Sequence, residues 1–255
     1  MGVLLEAKEL SKSYASGPND GQQVLKKVNL QIRKGEFIAV MGPSGSGKST
    51  LLFNLSGMDR ASSGSVTFGG EDICSFSEKR LSELRLTKMG FIFQHIHLLK
   101  NLSLLDNIVL SAYLAKRSSR KSINARALEY MRKSGIDELA GKSITQASGG
   151  QLQRVAICRA LINQPEIVFG DEPTGALNSK SAGEIMDLLA DINEAGTTIL
   201  LVTHDVKVAA KTERILFMLD GSLVAERNLG KYRKGKGDVK AREEDLAGWL
   251  ANLGL

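Results

Sequence analysis

Residues 42–50 read GPSGSGKST, two glycines framing four residues and followed by Lys and Ser. This is the spacing of a phosphate-binding loop. Gly42, Gly45 and Gly47 open backbone conformations closed to other residues. With Pro43, Ser44 and Ser46 they can form a loop whose free amides turn inward around phosphate oxygens at a helix N-terminus. Lys48 supplies a mobile point charge for the β and γ phosphates, Ser49 offers a hydroxyl to a magnesium ion, and Thr50 closes the motif. The pattern alone leaves kinases, small GTPases, helicases and transport ATPases open.

A second acidic site narrows the field. Residues 166–172 read EIVFGDE, an apolar strand ending in a carboxylate pair. Asp171 at the strand end can hold magnesium through water, and Glu172 can polarise an attacking water as general base. A third element is ASGGQ at 147–151, directly before a helical stretch. Ser148 is a good N-cap, and Gly149 and Gly150 leave the first helical amides accessible, with Gln151 next in line. Taken alone, this stretch reads equally as an ordinary capped loop. Taken as an anion site, it is a second cradle that one nucleotide does not need. Of three histidines, His204 in TILLVTHD follows a buried strand where it can meet a phosphate. His95 and His97 read as surface or interface residues, and Tyr14 as a strand aromatic.

These groups need a framework. Residues 37–41 (FIAVM), 167–169 and 199–202 are short continuous apolar runs, as in strands buried on both faces of a mainly parallel α/β sheet. The first leads into the phosphate loop, and a helix at 50–55 should follow. Residues 24–32 (VLKKVNLQI) alternate, which predicts a half-buried strand with Val24, Lys26, Val28, Leu30 and Ile32 on one face. Between it and the opening strand, 16–22 (SGPNDGQ) reads as a flexible hairpin loop. From about 77 to 162 the spacing turns helical, at 104–116, 124–134 and 149–162, and predicts a helical insertion. Residues 215–219, Asp220-Gly221 and 223–225 predict a hairpin that closes the sheet. The end of the chain is basic, then periodic: Leu246, Trp249, Leu250 and Leu253 share a helical face over 240–253, with Asp238 as an N-cap.

The order GPSGSGKST, Gln94, SGGQ, Asp171-Glu172 and His204 resembles the ATP-binding subunits of ABC transporters over nearly the whole chain. The resemblance implies an α/β P-loop NTPase of the ABC type, with a mainly parallel core sheet, an antiparallel β subdomain and a helical insertion. It divides the chain into an ATP-binding domain at 3–230, with the helical subdomain inserted at about 95–162, and a basic segment with an amphipathic helix at 231–255. It implies ATP and Mg2+ as ligands, with Ser49, Gln94 and Asp171 at the metal and Glu172, Gln94 and His204 in catalysis. Tyr14 would stack on adenine, Gln94 would sense the magnesium and γ-phosphate, and His204 would contact the γ-phosphate. Ser148, Gly149, Gly150 and Gln151 would close over the nucleotide of the opposite subunit. A two-fold dimer would thus hold two ATP molecules between two chains, which accounts for the second cradle.

Two departures stand out. Ala147 replaces the usual Leu of the signature, with little effect expected because the backbone binds the anion. Asn178, in GALN, replaces the usual Asp in a loop expected to cross the dimer seam, so it keeps hydrogen bonding without the charge. GMDRASSGSV at 57–66, FQHIHLL at 93–99 and DEPTGALNSKS at 171–181 resemble the exporter branch of lipoprotein-release, macrolide-export and bacitracin-resistance ATPases. A transmembrane permease partner docking near residues 94–99 is expected, as is a second ATP-binding subunit. The alternatives are a soluble ABC ATPase acting on ribosomes or DNA, and an ATP-gated scaffold with little hydrolysis.

The composition fits. Of 255 residues, 42% are hydrophobic and 24% charged, enough apolar surface for a folded core. The formal net charge of +6 raises the options of nucleic acid and of an anionic membrane surface. With one Trp, four Tyr and eight Phe, and basic residues scattered except at 116–120 and 231–240, no stacking platform is visible, and no nucleic-acid partner is expected. Cys74 and Cys158 lack metal-ligand spacing. No apolar run spans a bilayer and no secretion signal is seen, so the expected place is the cytoplasmic face of the cell membrane, peripheral and held by the permease.

Overall fold

The computed structural model describes residues 2–15, 21–235 and 238–253. The chain opens with two long strands, β1 (Val3–Ala15) and β2 (Gly21–Arg33), then the buried β3 (Phe37–Met41), helix α1 (Lys48–Leu55) and strands β4 (Ser63–Phe68) and β5 (Glu71–Asp72). Helix α2 (Glu78–Lys88) leads into β6 (Met89–Phe93), followed by helices α3 (Leu104–Ala115), α4 (Arg120–Lys133) and α5 (Gly149–Leu161). Strand β7 (Ile167–Asp171), helix α6 (Ser179–Glu194), strand β8 (Thr198–Val202), the short α7 (Val206–Ala209), the hairpin β9 (Arg214–Leu219) and β10 (Ser222–Asn228), and helix α8 (Val239–Asn252) complete it.

Two sheets result. The larger has the order β10-β9-β3-β8-β7-β6, parallel throughout except for the β9–β10 hairpin at its edge. All five side chains of β3 and of β8 are buried, as expected of strands covered on both faces. The smaller, β2-β1-β4-β5, is antiparallel. One apolar core joins them, with Leu5, Leu10 and Leu25 of the small sheet against Leu51 and Leu55 of α1 and Phe169 of β7. Helices α3, α4 and α5 have a separate core around Ile108, Met131, Val155 and Cys158.

Three expectations change. The buried face of β2 carries Leu25, Val28, Leu30 and Ile32, whereas Val24 is half-buried and Lys26 exposed. Lys27 has φ +48°, and the pairing slips between Leu10 and Lys12. This irregularity breaks the two-residue period and moves Val24 off the core face. Gly21 and Gln22 already pair with Ala15 and Tyr14, so the strands extend into the expected loop, whose residues 16–20 lie outside those described. The segment 77–162 is not wholly helical: β6 lies within it as the edge of the large sheet, paired along its length with β7.

At the other edge, Asp220 (φ +46°) and Gly221 (φ +84°) turn the hairpin as the Asp-Gly pair predicts. Helix α8 packs Leu246, fully buried, with Trp249 and Leu250 against Ala39, Met41, Ile215 and Phe217. Leu253, expected on the same face, is 38% exposed. Asp238 does stand at the N-cap position, but its side chain makes no capping bond and its Oδ1 is buried without a partner among the described residues. What anchors α8 is Arg242, whose guanidinium donates to the carbonyls of Ala210, Thr212, Leu229 and Gly230 at 2.7–2.9 Å.

Candidate functional site

The phosphate loop bridges β3 and α1. Gly42, Gly45 and Gly47 have φ of +153°, +80° and +102°. Gly42 and Gly47 are also crowded, since a Cβ would lie 2.1 Å from the Met218 carbonyl oxygen and 2.9 Å from that of Val24, respectively. The hairpin β9–β10 backs the loop, with Gly221 N–H donating to the Ser46 carbonyl at 3.0 Å. The Ser46 hydroxyl is buried without a hydrogen-bond partner among the described residues. A closed glycine cradle with an unpaired hydroxyl is a fit for a polyanion that brings acceptor oxygens of its own.

Lys48 is the first residue of α1 and donates to the carbonyls of Gly42 (2.9 Å) and Pro43 (2.8 Å). Burial pushes its ammonium below the ordinary lysine range, opposed by the nearby Glu172 and Asp171. Ser49 Oγ donates to Asp171 Oδ1 at 2.9 Å, so a helix start and a strand end 122 residues apart present two hard oxygen donors together. Burial, and then Glu172, push the Asp171 carboxyl up, with the Ser49 bond and Lys48 pulling it down.

Glu172 has φ +45°, a left-handed conformation at the turn out of β7. Its Oε1 lies 2.8 Å from Nδ1 of His204, which follows β8. A carboxylate only accepts, so against ionised Glu172 the Nδ1 carries the proton and Nε2 is left for another partner. Gln94, just beyond β6, reaches the same place: a Cβ on Gly175 would stand 3.1 Å from Gln94 Nε2 and 3.3 Å from Glu172 Oε2. Val24, Ser44, Gly45, Gly47, Lys48, Ser49, Thr50, Glu172 and His204 line an open cleft of about 660 Å³.

The structure does not bring the other expected residues into this cleft. Ser148 caps α5 by accepting from Gln151 N–H, while the Gln151 side chain accepts from Ser148 N–H at 2.8 Å. The reciprocal pair leaves Ser148 and Gly149 exposed. Asn178 lies beside them: Gly149 faces Leu177, and Gly150 faces Ser181. Its side chain caps α6, accepting from Ser181 N–H at 2.9 Å, a role that the sequence NSKS could have signalled. Tyr14 stands at the end of β1, bonded to Asp59 rather than lining the cleft. Also missed were Val24, placed by the bulge of β2, and the residues fixing the loop after Gln94. Arg159 of α5 donates to the carbonyls of Ile96 and His97, and Asn107 of α3 exchanges bonds with Leu99. His95 and His97 are exposed.

A family model described as "ABC transporter" matches residues 25–175. The chain belongs to the ABC transporter family. It is 42% identical over 223 residues to the ABC transporter ATP-binding protein YvrO of Bacillus subtilis, covering 88% of this chain and 96% of that one. Identity is also 42% over 223 residues to the macrolide export ATP-binding/permease protein MacB of Nitrosomonas europaea, of which the chain spans 34%. Among solved structures, the ATP-binding cassette MJ0796, in a dimeric post-hydrolysis state with ADP and Pi, is 39% identical with a TM-score of 0.83, covering 90% of this chain and all of that one. The cbiO1 protein of Clostridium perfringens, part of the cbiONQ transporter complex, is 28% identical with a TM-score of 0.81, covering all of this chain and 96% of that one. The chain is therefore an ABC-type ATPase with the P-loop NTPase fold, and an ATP-binding component of a transporter. Among the described residues no helix is long and apolar enough to cross a membrane.

Proposed function

We propose that two copies of this chain close around two MgATP molecules and that the cycle of closure and release moves a membrane permease. The transport is of the exporter or mechanotransmission kind, for an antimicrobial peptide, lipoprotein or drug. The observation that carries this reading is the separation of the two anion-binding helix starts. Ser148 and Gly149 stand exposed, with Gly150 and Gln151 half-buried, beside Asn178 and outside the cleft lined by the phosphate loop, Glu172 and His204. Each needs a partner surface that one chain does not supply. The dimeric MJ0796 cassette, MacB with its ATP-binding and permease functions, and cbiO1 within its complex support the same arrangement.

In the cleft, Lys48 would hold the β and γ phosphates, and Ser49 with Asp171 the magnesium, which neutralises phosphate charge. Gln94 would approach from the end of β6. Glu172 would accept the proton of the attacking water, oriented by His204 Nδ1, with Nε2 of His204 turned to the γ-phosphate. The permease would dock in the groove of about 460 Å³ between core and helical layer, lined by Met58, Phe91, Phe93, His97 and Arg159 among others. Arg159 and Asn107 tie the loop after Gln94 to the helices, so motion of that layer is passed to Gln94. The subunit would then sit peripherally on the cytoplasmic face of the membrane. Glu172→Gln tests the chemistry: turnover should fall by about 10²–10⁴-fold with ATP binding kept. Unchanged turnover would remove Glu172 from the role of base.

A further inference from the structure

Tyr14 is held by two residues from outside the phosphate cleft. Its hydroxyl donates to Asp59 Oδ2 at 2.6 Å. Lys12 Nζ donates to Asp59 Oδ1 at 2.7 Å and to the Arg60 carbonyl at 2.8 Å, and lies 4.6 Å from the centroid of the Tyr14 ring. The Lys12 side chain is only 12% exposed, whereas Tyr14 remains 42% exposed. Lys12 and Tyr14 share β1, two residues apart and on the same side; Asp59 follows α1 and arrives from 45 residues away.

We propose that Asp59 and Lys12 are positioning residues for the nucleotide: they fix the Tyr14 ring with an ammonium over one face and the opposite face turned outward for a purine. The inference rests on the reading of Tyr14 as the adenine platform and adds the residues that prepare it. An unpinned tyrosine on an exposed strand end samples several rotamers, and binding a base must then select one; the Asp59 bond makes that selection on folding. The ammonium draws π density toward its own face, leaving the other face less electron-rich and better suited to stack on an electron-rich purine. Burial and Asp59 push the Tyr14 phenol up, which keeps it a donor.

The test uses the full chain in a Glu172→Gln background, with binding of MgATP and of magnesium tripolyphosphate measured by calorimetry. Tyr14→Ala should weaken ATP about tenfold, as expected for loss of a stacked base, and leave tripolyphosphate within about twofold. Asp59→Ala and Lys12→Met should each weaken ATP about three- to tenfold, leave tripolyphosphate unchanged, and add nothing further to Tyr14→Ala. Asp59→Asn, which keeps an acceptor for the phenol, should recover most of the loss. Retained tripolyphosphate binding reports that a variant is folded. ATP affinity unchanged in both Asp59→Ala and Lys12→Met, with Tyr14→Ala impaired, would overturn the pinning alone. Equal losses of ATP and tripolyphosphate, or full additivity with Tyr14→Ala, would assign the cluster a purely structural role. Unchanged ATP affinity in Tyr14→Ala would overturn the platform reading and the inference with it.

Discussion

Asp171→Asn should make this protein more stable while ending its activity. The carboxylate sits half-buried at the C-terminal end of β7, with one hydrogen bond from Ser49 and a second acid, Glu172, next to it. Burial and Glu172 raise its folded-state pKa. A raised folded pKa means that the folded chain holds this proton more tightly than the unfolded chain does. As pH rises through the ordinary carboxylate range, the unfolded chain loses its proton first and stability falls; above the folded pKa the penalty is fully in place. At neutral pH, then, ionised Asp171 costs the fold. Asparagine keeps an oxygen for the Ser49 hydroxyl and removes the charge. Discounted for partial exposure, the gain should be about 1 kcal/mol, or about 2–4 °C in melting temperature for a domain of this size. The assay is thermal unfolding of parent and variant from pH 4 to 8 without nucleotide or magnesium, alongside ATP turnover. The difference should be largest near neutrality and shrink toward pH 4. A variant that melts no higher than its parent at neutral pH, or a gain independent of pH, would refute the reasoning.

Two further outcomes follow from the packing and the caps. Leu246→Ala should lower stability by about 2–5 kcal/mol in denaturant titration, because Leu246 is fully buried against Phe217 and Ile215; an effect below about 1 kcal/mol would mean that α8 is only loosely seated. Asn178→Asp should leave the melting temperature nearly unchanged, since aspartate caps Ser181 N–H as well as asparagine does, so any change in turnover would report on the proposed seam between subunits.

The parts of the site legible in the sequence are those in which chemistry and conformation are local. The phosphate loop is one short run whose glycines, lysine and serine each announce a job, and Ser148 with Gln151 forms a capping pair within four residues. The Asp-Gly hairpin and the buried strands β3 and β8 are equally local. What escaped depends on contacts between distant segments or on irregular backbone. The buried face of β2 departs from simple alternation because Lys27 adopts φ +48° with no glycine to mark it. Strand β6, MGFIF, has five residues with a glycine among them and is distinguished as a strand chiefly by pairing with β7. The Lys12–Tyr14–Asp59 group and the hold of Arg159 on the loop after Gln94 join segments 45 or more residues apart, and no spacing rule brings them together. At Asn178 the family resemblance drew attention to the missing charge, while the simpler local role, a helix cap, lay in the residues that follow.

The central claim is that one chain carries two half-sites for two different nucleotides. Its most direct test is the mass of the Glu172→Gln protein by light scattering at low protein concentration, with and without saturating MgATP. The account predicts a monomer that becomes a dimer on adding MgATP, and a monomer under both conditions once Ser148, Gly149 and Gly150 are replaced by bulkier residues. A Glu172→Gln protein that binds MgATP and stays monomeric, both alone and in the presence of the proposed permease partner, would contradict it.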